Sequence, residues 1–260
     1  MSAIVILGSA GFIGAALRGV LPHAINVNRK NIDEVLKQGL LETEVTVINC
    51  LSKVDELEEN VYSANYSIPL QISQRIDVSK WIQLSSYYSE YRNIHGVDFN
   101  SYSKSKDLFS KYLEQNESFG TIDLVLPHIY WPTEKRERFV SACYFAALNK
   151  TSLKVANLNQ KVPLLSREKL LQAILDAVNS KNQSNYNRKK VPAETMALIT
   201  ELGKVLFEIT GWAPRFVSDP HQDPRFFSDL DWPTYSVKES ERIESLRKIL
   251  LLYSEMNAIS

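Results

Sequence analysis

The sequence predicts an α/β fold built on a doubly wound parallel sheet, with a small, partly interwoven C-terminal lobe. Three observations predict it. Apolar, β-branched runs of strand length recur at Ala3–Leu7, Val45–Leu51, Lys80–Leu84 and Thr121–Leu126, without the alternation of a sheet that faces water. Helix-like stretches separate these runs, and strand–helix–strand repetition implies right-handed crossovers and a parallel sheet. The first run ends in Gly8-Ser-Ala-Gly11-Phe-Ile-Gly14, three glycines at three-residue spacing. A strand that ends in such a turn and passes into a helix is the Rossmann-type receptor for a dinucleotide pyrophosphate.

Taken in order, Gly8 permits the tight turn, Gly11 lets phosphates approach the backbone, and Gly14 lets helix and strand pack closely. Ala10, Phe12 and Ile13 complete that loop as cofactor-contacting positions. The helix from Phe12 to Leu21 stops at Pro22. Ala24–Asn28 is a second strand, ending twenty residues beyond Gly8, where the fold senses the adenosine ribose. Asn28, Arg29 and Lys30 stand there, with two cations and no carboxylate. That chemistry suits a 2′-phosphate, so NADP is preferred to NAD; the bland alternative is a solvated basic turn.

Asn31 caps a helix from Ile32 to about Leu41, and Val45–Leu51 is the next strand. Its end, Cys50-Leu51-Ser52, is expected beside the cofactor phosphates or ribose. A helix from Val54 to Gln74 carries Asn65 near its middle, and the strand Lys80–Leu84 runs into Ser85-Ser86-Tyr87-Tyr88. From Asn100 to Asn116 the chain reads as helix, with Leu108 and Tyr112, and Phe109 and Leu113, at i,i+4 spacing. Pro127 breaks the strand Thr121–Leu126 before His128-Ile-Tyr-Trp-Pro132. Beyond lie a helix Phe139–Leu148, a strand Leu153–Ala156 and a helix Lys169–Val178. A polar loop Lys181–Lys190, an amphipathic helix Met196–Ile209, a proline-punctuated loop Asp219–Arg225 and a helix Glu239–Met256 follow. The expected division is a nucleotide domain over residues 1–135 and a substrate lobe over 136–260.

Thirty basic residues balance thirty acidic ones, which gives no support to a nucleic-acid or anionic-membrane partner. No run has the length of a transmembrane helix, and the N-terminal apolar run lacks a basic n-region. A cytoplasmic protein with two reduced thiols, Cys50 and Cys143, is expected. No metal is expected: His221 with Asp219 and Asp223 lacks regular ligand spacing, and His23 and His95 read as surface residues.

Tyr102 and Lys106 stand four residues apart, on one face of a helix. A phenol titrates near ~10, and a neighbouring cation favours the phenolate. Such a pair can exchange a proton with a hydroxyl or carbonyl near neutral pH. Lys106 can also reach a nicotinamide ribose, and Ser86 can hold a carbonyl oxygen near the phenol. Alone, this spacing is a common accident; after a glycine-rich turn and a strand ending in Ser-Ser, it is not.

These motifs resemble the extended short-chain dehydrogenase/reductase family, the NAD-dependent epimerase/dehydratase group that acts on nucleotide sugars. Gly8-x-x-Gly11-Phe-Ile-Gly14 resembles its cofactor loop, Val47-Ile-Asn-Cys50 its Val-Ile-Asn-Ala strand, and Ser63-Ala-Asn65 its helix asparagine. Ser86, Tyr102 and Lys106 fall on its catalytic Ser/Thr, Tyr and Lys, and His128-Ile-Tyr-Trp-Pro132 resembles Asn-Val-Tyr-Gly-Pro. The resemblance implies cofactor contacts from Asn65, Tyr102, Lys106 and His128. It implies substrate contacts from Ser86, Tyr87, Tyr102 and His128, and a homodimer through helices near 55–74 and 101–116. Arg136 and Arg138, just beyond the His128–Pro132 segment, can bind a nucleotide diphosphate by bidentate contacts; the alternative is a solvated helix start. Several features depart from the family. Ser86 and Tyr102 are only sixteen residues apart, and Leu164-Leu-Ser-Arg-Glu168 stands in place of Val-Asp-Asp. Ser86-Tyr87-Tyr88 also replaces the Thr-Asp-Glu of sugar 4,6-dehydratases, so the acid and base that eliminate water are missing. The expectation is reduction of a keto group on a nucleotide-linked sugar or deoxysugar. The alternatives are a nucleotide-sugar 4-epimerase with bound NAD, and a non-catalytic dinucleotide sensor or scaffold.

Overall fold

The computed structural model describes residues 2–38, 44–54, 57–90, 96, 100–132, 138–155, 158, 161–181, 185–218, 232–234 and 238–258. The chain forms two compact units, Met1–Leu126 with Leu171–Lys190, and Pro127–Leu170 with Val191–Ser260. Thus residues 127–135 go with the second unit and 171–190 with the first, unlike a single cut at 135.

The first unit is a six-stranded sheet, wholly parallel, in the order β2-β1-β3-β4-β5-β9. Its strands are β1 (Ala3–Leu7), β2 (Ile25–Val27), β3 (Val45–Asn49), β4 (Val78–Ser86), β5 (Gly120–Leu126) and β9 (Tyr186–Lys190). Leu7 is level with both Val27 and Asn49, and Asn49 with Gln83. The carboxyl ends of four strands therefore form one rim, with the change of winding direction between β1 and β3. That is where this fold class binds ligands. Helices α1 (Phe12–Val20), α2 (Ile32–Gln38) and α5 (Ser101–Gln115) cross between strands. Val5, Leu7, Val45, Val47 and Trp81 share one core with Phe109 and Leu113 of α5. The Trp81 and Phe109 rings meet edge-to-face at 5.4 Å.

Two expectations are corrected here. The helix expected over residues 54–74 is broken into α3 (Glu58–Tyr62), a π-helical turn Ser63–Ser67 and α4 (Ile68–Arg75). Pro69 explains the break: it has no N–H to give the carbonyl of Asn65, so the ladder slips and Ile68 bonds Ser63, five residues back. The polar loop expected over Lys181–Lys190 instead contains β9, which pairs with β5 from Thr121↔Tyr186 to Val125↔Lys190. Its Asn, Arg and Lys residues are ordinary for an edge strand, and they conceal it in the sequence.

In the second unit, β6 (His128–Tyr130) and β10 (Thr195–Leu198) flank β8 (Lys161–Ser166), and β7 (Ser152–Val155) pairs with β11 (Arg215–Ser218). Four of these strands, β6, β8, β10 and β11, lie where the sequence places none. Helices α6 (Phe139–Leu148), α8 (Ile199–Thr210) and α9 (Glu239–Ala258) enclose a core of Cys143, Tyr144, Leu164, Leu202, Leu206, Leu246 and Tyr253. Helix α7 (Arg167–Asn179) begins in the second unit and ends in the first, where Lys80 donates to the carbonyls of Val178 and, just past the helix end, Ser180 at 2.8 and 2.6 Å. Among the described residues, no helix is long and apolar enough to cross a membrane.

Candidate active site

The glycine loop has the geometry its spacing requires. Gly8 has φ +79°, and its amide and that of Ser9 donate to the Val27 carbonyl at 2.8 and 3.0 Å. A Cβ on Gly8 would stand 3.1 Å from the Cys50 carbonyl group. One on Gly14 would stand 2.8 Å from Ser9 Cα and closer still to the Gly8 carbonyl oxygen. Gly11 caps α1 with no side chain over the helix N-terminus and no acidic residue in the first turn. Ala10 and Gly11 are exposed, and Phe12 and Ile13 half-buried. The Ser9 hydroxyl, 1% exposed, finds no hydrogen-bond partner among the described residues. An open helix N-terminus, a backbone cradle and an unsatisfied hydroxyl fit a pyrophosphate.

At the end of β2, the Asn28 side-chain oxygen accepts from the Lys30 amide at 2.9 Å, and Asn31 accepts from the Asn28 amide at 2.7 Å. This local turn leaves Arg29 and Lys30 exposed. At the end of β3, Asn49 binds Gln83 at 2.8 Å and the Leu51 amide at 3.1 Å. Burial pushes the Cys50 thiol up to about 12, against the opposing charge of Lys106, so it is no nucleophile near neutral pH. Asn65 sits in the π-helical turn. It accepts from the Lys53 amide at 2.8 Å and donates to the Lys53 carbonyl and Ser105 Oγ at 3.0 and 3.1 Å. Asn65 therefore fixes the segment after β3, which carries Ser52, rather than standing free for a ligand.

Helix α5 starts at a capping box between Asn100 and Ser103, which sets Tyr102 in the first turn and Lys106 one turn on. Ser52 Oγ donates to the Tyr102 phenol oxygen at 3.4 Å. Lys106 is 2% exposed and donates to the Leu51 and Leu84 carbonyls at 2.7 and 3.1 Å, so one of its three N–H groups remains for a ligand. Burial pulls its pKa down, while Tyr102, Cys50 and Asp123 oppose the shift. A ribose hydroxyl suits that remaining donor.

Ser86 ends β4 and caps a 3-10 turn, Tyr87–Ser89, its hydroxyl accepting from the Tyr88 amide at 3.4 Å. Tyr87 is 2% exposed and packs on Tyr88 at 4.2 Å. Tyr88 is less buried and stands edge-to-face to Tyr102 at 6.4 Å. Burial raises both phenols, so both stay protonated near neutral pH. Tyr87, expected among the substrate contacts, is thus buried, and Tyr88 is the ring that stands beside the Tyr102 phenol.

His128 begins β6, in the second unit. Burial and then the charge of Arg138 pull its pKa down to about 3, so it is neutral near pH 7. Arg136, His95 and His221 lie outside the described residues. Sequence reading passed over Gln83, Asp123 and Arg188. Asp123 carried a signal: a carboxylate inside an apolar strand requires a buried partner.

No family model matches the chain. CDP-abequose synthase of Yersinia pseudotuberculosis is 25% identical over an alignment covering 79% of this chain and 81% of that protein. Among solved structures, MoeE5 in complex with UDP-glucuronic acid and NAD superposes with a TM-score of 0.74 at 14% identity, over 99% of both chains. The fold is the one used by extended short-chain dehydrogenases/reductases. UDP-glucose 4-epimerase of Thermotoga maritima with UDP-glucose gives 0.73 at 16% identity, over 98% of this chain and 99% of that one. These findings agree with the resemblance carried by Gly8, Gly11, Gly14, Tyr102 and Lys106.

Proposed function

We propose that this chain is an NAD(P)-dependent enzyme that reduces a keto group on a nucleotide-linked deoxysugar. The observation that carries the reading is the placement of Tyr102, Lys106, Ser52 and Ser86 at one rim of the parallel sheet, beside a glycine cradle that fits a pyrophosphate. A bound nicotinamide dinucleotide supplies the hydride to the carbonyl carbon. Tyr102 gives its phenolic proton to the carbonyl oxygen, so the ketone becomes a secondary alcohol. Lys106 and the Ser52 hydroxyl stabilise the phenolate that remains, and Ser86 donates to the same carbonyl oxygen before transfer. Among the described residues that follow Ser86, the nearest carboxylate, Glu90, is bound to Arg188 and Lys190, each at 3.2 Å, which speaks against elimination of water.

Arg29 and Lys30, exposed at the end of β2, support NADPH as the preferred reductant. We expect a cytoplasmic homodimer formed through α3, α4 and α5, which light scattering at micromolar concentration tests. NADPH and NADH are titrated by fluorescence, and consumption is followed with a panel of keto-deoxysugar nucleotides. Removing both cations is expected to cost NADPH affinity about 10-fold and NADH little. Equal losses for both cofactors overturn the preference. A second reading, 4-epimerisation, draws on the fold likeness to a 4-epimerase. It requires a retained dinucleotide and interconversion of sugars with no net reductant consumed. Binding of dinucleotide with neither activity points to a sensor instead.

A further inference from the structure

Strand β9 carries a cation that reaches the Ser86 turn. Arg188 donates from Nη2 to Ser89 Oγ at 2.8 Å and to Glu90 Oε1 at 3.2 Å, and from Nη1 to Asp123 Oδ2 at 3.2 Å. Ser89 Oγ passes the contact on, donating to the Ser86 carbonyl at 2.6 Å. Tyr186, two residues before Arg188 on the same strand face, donates to Asp123 Oδ2 at 2.8 Å. The chain Asp123–Arg188–Ser89–Ser86 thus spans β5, β9 and the end of β4, and all its members lie in the first unit.

We infer that Arg188 is a positioning residue for Ser86: its guanidinium holds the Tyr87–Ser89 turn in the shape that orients the Ser86 hydroxyl. The inference rests on the reading of Ser86 as the group that orients the carbonyl. A three-residue 3-10 turn has poor hydrogen-bond geometry of its own and needs an outside brace. Arginine suits the task because its rigid fork serves three acceptors on two elements at once. Lysine at this position keeps the charge and loses the fork. A hydroxyl that must meet a carbonyl oxygen tolerates little drift, since a misplacement of about 1 Å costs about 10²-fold in rate.

The test uses the full chain with Arg188→Lys and Ser89→Ala, each alone and combined with Ser86→Ala. Each single variant is expected to lower kcat about 10-fold or more, with KM and the dinucleotide Kd within about 2-fold. Combined with Ser86→Ala, neither should lower kcat further, because both act through a hydroxyl already gone. Hydrogen exchange across residues 85–90, measured without substrate, should speed by about 10-fold while β1 and β3 are unchanged. Losses that multiply with Ser86→Ala, or exchange at 85–90 that stays at the wild-type rate, overturn the inference. If the wild type turns over no keto-sugar, the proposed reaction fails, and the exchange measurement still decides whether Arg188 holds the turn. Ser89→Ala leaves the Asp123–Arg188 pair intact, so the link is tested even if Arg188→Lys does not fold.

Discussion

Lys106 and Arg188 are both largely buried cations of the first unit, and the protein holds them in opposite ways. Among the described residues, Lys106 is bonded to two backbone carbonyls and to no carboxylate. Arg188 lies between two carboxylates, Asp123 and Glu90, which hold it above the ordinary arginine range against the opposing pull of burial. The first arrangement leaves a desolvated ammonium with a spare donor beside a phenol, and its charge acts on whatever binds there. The second neutralises the charge locally and fixes three strands and a turn. A buried cation held by dipoles is available for chemistry; one held by carboxylates is a brace.

The largest effect expected is at the phenol. Tyr102→Phe should lower kcat by about 10³-fold, with dinucleotide binding and the unfolding midpoint nearly unchanged. Substantial remaining turnover sinks its role as the acid. Next comes the brace. Asp123→Ala strips the fully buried partner from Arg188 and Tyr186, so urea unfolding should show a loss of about 3 kcal/mol. A loss below about 1 kcal/mol breaks the contrast. Lys106→Met should lower kcat by about 10²-fold but shift stability by only about 1 kcal/mol, because removing a desolvated charge offsets the two carbonyls left without donors. A stability loss equal to that of Asp123→Ala would make Lys106 a brace as well.

The smallest effect extends the contrast to the second unit. His128 is held neutral, with its pKa lowered from 6.5 to about 3. As pH falls below about 6.5 the unfolded chain takes up a proton at this residue and the folded chain does not, so stability drops with acidification until about 3. His128→Gln should flatten that acid limb between about pH 7 and about pH 5 in urea midpoints. An unchanged slope would mean that the imidazole protonates in the folded state.

Legibility from sequence follows the range of the interactions. Glycine spacing and the i,i+4 pair Tyr102–Lys106 act within a turn or two, and their pattern survives in a linear string. The π-helical turn at Asn65 is not legible although its cause, Pro69, is equally local, because an apolar 3.6-residue pattern outweighs one proline. Strand β9 is hidden because Tyr186 and Arg188 face partners on β5 and the Ser86 turn, and without those partners they read as solvated.

By itself, then, the sequence determined a parallel α/β sheet, a turn that cradles phosphates and a phenol–ammonium pair one helical turn apart. Only the tertiary structure decided that Tyr88 and not Tyr87 stands beside that phenol, and that Asn65 is spent on Lys53. It also decided that Arg188 meets Ser89 across 99 residues of chain. The physical reason is that a polar side chain declares its chemistry in the sequence but not its partner. Burial sets the strength of such a contact, and burial is a property of the folded chain.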